Sequence, residues 1–60
     1  MDLQDLLFEI LERRLGRVPE AAREMIMATS DKGFMILLLR KAIEASSMEE
    51  FVNFSQEEGS

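Results

Sequence analysis

The chain has 60 residues, with no Cys, His, Trp or Tyr, and 12 acidic against 7 basic residues give a formal net charge of −5. These absences exclude disulfides, thiolate metal sites, thiol catalysis and the commonest general base. The acidic balance argues against nucleic acid as a main partner, because the phosphate field repels the chain as a whole.

A chain this short buries only about 60% of the surface its unfolded form exposes, so it forms one domain of marginal stability. Small domains add disulfides, a metal or oligomerisation. With the first two excluded, association with another chain is what remains.

The first predicted helix covers residues 2–15. Leu3, Leu6, Leu7, Ile10, Leu11 and Leu15 recur at intervals of three and four. Asp2 is placed as an N-cap, and Asp5 lies in the first turn, where the helix dipole favours an anion. Arg13 and Arg14 fall in the last turn, and Gly16 suits the position just past the end.

A second helix is predicted over 19–29. Pro19 takes the first helical position, Glu20 follows it, and Ala22, Met25 and Ile26 keep the period, with Val18 packing from outside the start. Three turns cannot stand alone and need neighbours.

The third helix is predicted over 31–45, with Ser30 as N-cap and Asp31 in the first turn. It contains "FMILLLRKAIE", whose six consecutive apolar residues could equally form a buried strand. Its Leu and Met content, and the lack of any partner strand, favour a helix.

The fourth is predicted over 48–54. Ser47 and Glu50 match a capping box, and Met48, Phe51 and Val52 form an apolar face that Phe54 extends. Residues 55–60, "SQEEGS", read as a frayed polar tail. The expected architecture is therefore an all-α bundle of four short helices in a single domain over 1–54, completed by oligomerisation. No segment reaches the roughly 18 to 20 apolar residues a membrane span requires. The N-terminus lacks the basic start and cleavage site of a signal peptide. The setting expected is cytoplasmic.

On a wheel at 100° per residue, nine apolar side chains of the third helix fall on an arc of roughly 260°, far wider than the ~100° stripe a surface helix needs. One reading makes this a central helix wrapped by the other three. The favoured reading gives it two apolar faces, since 60 residues rarely enclose a helix completely. Leu37, Phe34 and Leu38 are then assigned to the internal core. Met35, Ile36, Leu39 and Ile43, with Phe8 and Leu15 on an edge of the first helix, form the candidate partner interface. The partner implied is a second copy, in a homodimer or higher homo-oligomer. Five methionines suit an adaptable contact surface.

Nothing in the sequence supports catalysis. Glu9 precedes Arg13 by four residues and reads as a surface ion pair, and Glu49 and Glu50 read as first-turn residues. No catalytic, cofactor-binding or metal-ligating residue is assigned, and no cofactor is expected. The one basic cluster, Arg13, Arg14 and Arg17 in "RRLGR", could meet phosphate and make the chain a nucleic-acid accessory module. More commonly such arginines cap and solvate a helix end. A helix-turn-helix built on the second and third helices fails on the third, which offers Met, Ile and Leu where polar base readers belong.

Together, "LLFEILERRLGRVPEAAREMIMATS" and "ASSMEEFVNF" resemble the small helical domain of unknown function at the C-terminus of Rpn-type recombination-promoting nucleases, transposase-associated proteins with a PD-(D/E)XK core. The family pattern is matched at Leu6, Leu7, Leu11, Arg13, Arg14, Gly16, Pro19, Ile26, Ser30, Ser47 and Phe51, within residues 3–54. Leu15 stands where the family tends to an aromatic, and the third helix lacks the family's acidic residues after its serine cap. None of the nuclease core is present. The resemblance implies a detached C-terminal module or a free-standing relative that binds the matching module of a full-length protein and regulates it.

Overall fold

Local capping chemistry sets where each helix begins. In the computed structural model, which describes residues 2–59, four α-helices follow in order: α1 (Leu3–Arg14), α2 (Glu20–Ala28), α3 (Lys32–Glu44) and α4 (Met48–Gly59). The fold is all-α, and no strand occurs among the described residues. Met1 and Ser60, the ends of the expected domain and tail, lie outside them.

The Asp2 carboxylate accepts from the Gln4 N–H at 3.4 Å and caps α1 as expected. Two starts differ by one residue from the sequence expectation. Pro19 is the N-cap of α2 rather than its first residue, with extended ψ of 151° and a carbonyl that accepts from the Arg23 N–H at 2.9 Å. Asp31, and not Ser30, caps α3, accepting from the Gly33 N–H at 3.0 Å. A carboxylate there gains from the helix dipole as well as the hydrogen bond, which a hydroxyl cannot match.

The capping box of α4 forms in a shifted version. The Glu50 N–H donates to Ser47 Oγ at 3.2 Å, while the Glu50 carboxylate accepts from the Ser46 N–H at 2.7 Å. α1 ends on Gly16 with φ of 100°, and the Leu15 and Gly16 N–H groups both donate to the Leu11 carbonyl, at 2.8 and 3.0 Å. That positive φ is readily adopted only by glycine.

The fourth helix does not stop at residue 54. It continues to Gly59, and Ser55, expected in a frayed tail, is buried, with its Oγ donating to the Val52 carbonyl at 2.8 Å. A hydroxyl that bonds back to its own helix can enter a core without leaving a polar group unpaired.

α3 packs chiefly against α1 and then against α4. The core comprises Leu7 and Leu11 of α1, Val18, Ala22 and Ile26 around α2, Met35, Leu38 and Ala42 of α3, then Ala45 and Phe51. Two side chains tie distant helix ends together. Gln4 Nε2 donates to the Ile26 carbonyl at 3.1 Å, and Arg14 Nη1 donates to the Ala42 carbonyl at 2.6 Å. The accessible surface of 4090 Å² is close to the roughly 4,000 Å² expected of a compact monomer this size. The core is thus closed within one chain, more completely than the breadth of apolar sequence suggested.

Candidate interaction site

Helix α3 turns Met35, Leu38 and Ala42 inward. Leu38 and Ala42 are fully buried, and Phe34 and Leu39 pack half-buried on either side. The opposite face carries Ile36, Leu37 and Ile43 at 46%, 44% and 55% exposure. With Met27 of α2, at 63%, these three are the exposed large apolar side chains among the described residues.

The expected interface residues therefore divide. Ile36 and Ile43 are exposed as required. Met35 is not part of any outer face: at 6% exposure it belongs to the core. Leu39 is half-buried against that core. Phe8 is half-buried too, with the Arg23 guanidinium 5.3 Å from its ring centre, and Leu15 packs half-buried at the end of α1. Leu37, assigned inward from the wheel, is exposed. The cause is a rotation of α3. Its inward direction runs through Leu38, Ala42 and Met35, where α1 and α4 contact it, and not through Leu37.

The outward face has a regular pattern. Gly33 and Arg40, Ile36 and Ile43, and Leu37 and Glu44 are each seven residues apart, the spacing that keeps a seam on one side of a helix. α3 is also the one helix of the four in which basic residues outnumber acidic ones: Lys32, Arg40 and Lys41 against Glu44. α4 carries Glu49, Glu50, Glu57 and Glu58 with no basic residue. The chain's acidity is thus concentrated away from the apolar face.

The arginine cluster is dispersed by the fold. Arg13 lies 3.8 Å from Glu9, the i, i+4 pair expected from spacing. Arg14, itself exposed, reaches across to bond the last carbonyls of α3. Arg17 borders a shallow hollow shared with Glu12, Glu20 and Arg23. A hollow of about 250 Å³ between the starts of α1 and α3 is lined by Asp2, Thr29, Asp31, Lys32 and Met35, and both aspartates there already cap their helices. Among the described residues no three acidic, His or Cys side chains come together as a metal site, and no helix is long and apolar enough to cross a membrane.

Fold and face together define a small all-α domain with a partly apolar outer helix. Compared with known protein families, with curated proteins and with solved structures, the chain matches none.

Proposed function

We propose that the chain is a non-catalytic helical module that works by self-association, forming a homodimer or a higher homo-oligomer. The observation that carries this reading is the trio Ile36, Leu37 and Ile43, which stays exposed although the core is already closed. Exposed aliphatic side chains grouped on one helix face are a mark of interaction surfaces on small domains. By its resemblance to the C-terminal module of Rpn-type nucleases, the second chain can be the matching module of a full-length nuclease-like protein, which this chain would regulate in the cytoplasm.

Of the three arginines of the nucleic-acid alternative, Arg14 is engaged with the α3 carbonyls, and Arg13 forms only a loose surface pair with Glu9. The test is solution mass by sedimentation equilibrium across the micromolar range. The mass should rise with concentration from the 6.9 kDa of one chain. Leu37→Glu should hold it at the monomer value with helical circular dichroism unchanged. A wild-type chain that stays monomeric at high micromolar concentration overturns the reading, and a shift of labelled DNA or RNA at low salt would replace it with the alternative.

A further inference from the structure

Asp31 and Lys41 complement the dipole of α3, but the charges on its first and last residues are placed against it. Lys32 is its first residue, where a cation is disfavoured, and Glu44 its last, where an anion is disfavoured. Neither forms an ion pair among the described residues. They are 12 positions apart on one helix, about 18 Å at 1.5 Å per residue, so they cannot meet within the chain.

We infer that α3 pairs with α3 of a second copy in antiparallel orientation about a twofold axis, with Lys32 facing the partner's Glu44 at one end and Glu44 facing the partner's Lys32 at the other. This rests on the self-association reading and adds the partner face, its orientation and its register. Each end charge then lies beside the end of the neighbouring helix whose dipole favours it, so an arrangement unfavourable in one helix becomes favourable in two.

The interior of the seam follows the same register. Ile43 comes opposite Gly33 of the partner subunit, where an added Cβ would meet only the capping Asp31 oxygen at 3.4 Å, leaving space outward. Ile36 comes opposite the aliphatic stem of the partner's Arg40, whose charged end can reach solvent. A parallel pairing would instead set lysine on lysine, arginine on arginine and glutamate on glutamate.

A helix of 13 residues is about 20 Å long and about 10 Å across. Its footprint falls well below the roughly 800 Å² per partner of a stable complex. The dimer is accordingly weak and reversible, forming in the micromolar range.

The test is charge reversal read by sedimentation equilibrium. Lys32→Glu and Glu44→Lys should each weaken dimerisation about tenfold, because one substitution alters both ends of a twofold interface. The double variant should return to within about threefold of wild type. Both substitutions move charge to the end the dipole favours, so each monomer keeps its helicity by circular dichroism, and lost association is not unfolding.

The chain has no cysteine, which permits a second measurement. Lys32→Cys mixed with Glu44→Cys should cross-link on oxidation, whereas Glu44→Cys alone should not. A dimer that ignores both reversals, a double variant as weak as the singles, or self-cross-linking of Glu44→Cys overturns this pairing while leaving self-association intact. A monomeric wild type overturns both.

Discussion

Arg13 and Arg14 are adjacent and chemically identical, yet the fold assigns them opposite importance. Arg14 Nη1 donates to the Ala42 carbonyl at 2.6 Å and lies 3.5 Å from the Ala45 carbonyl. These are end carbonyls of α3 with no onward helical partner. A hydrogen bond from a charged donor contributes about 1.5–3 kcal/mol, and the longer contact adds little. Because Arg14 is exposed, solvent screening discounts that figure to about 1–2 kcal/mol for Arg14→Ala.

Arg13, by contrast, pairs with Glu9 at 3.8 Å with the two side chains 78% and 44% exposed. Such a pair contributes at most about 0.5 kcal/mol. In a domain of this size 1 kcal/mol corresponds to roughly 4–8 °C in Tm. Arg14→Ala should therefore lower Tm by about 4–16 °C, while Arg13→Ala should stay within about 4 °C of wild type. Arg14→Lys should fall between, since it keeps charge but loses the planar fork. The assay is thermal unfolding by circular dichroism, at a concentration where all variants are monomeric. Equal losses for Arg13→Ala and Arg14→Ala would refute the capping role and reopen the cluster as a surface feature.

Gly16→Ala, at φ of 100°, should cost about 1–2 kcal/mol by thermal melt through backbone strain alone, and an unchanged Tm would mean the α1 end is not held in that conformation. Removing residues 55–60 should lower Tm, because Ser55 and the last turns of α4 contribute to the fold, and a truncated chain as stable as the full one would contradict that. Leu38→Glu puts a carboxylate at a fully buried position and should abolish cooperative melting at any concentration, since the penalty exceeds the roughly 3–5 kcal/mol a core this small supplies. Adding a chelator should leave Tm unchanged, and a drop of several degrees would reveal a carboxylate-bound metal.

Four helices, their order and two of the four helix starts were legible in the residues, because capping and period are local. Asp2 and the Ser47–Glu50 pair act within a turn of where they stand, and the three-four spacing of Leu3 to Leu11 needs nothing beyond its own segment. The wheel also established how wide the apolar arc of α3 is. It could not establish which direction along that arc points inward, because a periodicity fixes angles between side chains and not the angle to a neighbour. Contact with α1 and α4 decided this, burying Met35 and exposing Leu37, the reverse of the assignment made from the sequence. Two further features had the same origin. Ser55 reads as tail until the neighbouring core covers it, and Arg14 reads as a charge at a helix end until the fold brings Ala42, 28 residues away, within reach of its guanidinium. Each depends on packing between segments distant in sequence, and no local pattern encodes the rotation of one helix against another.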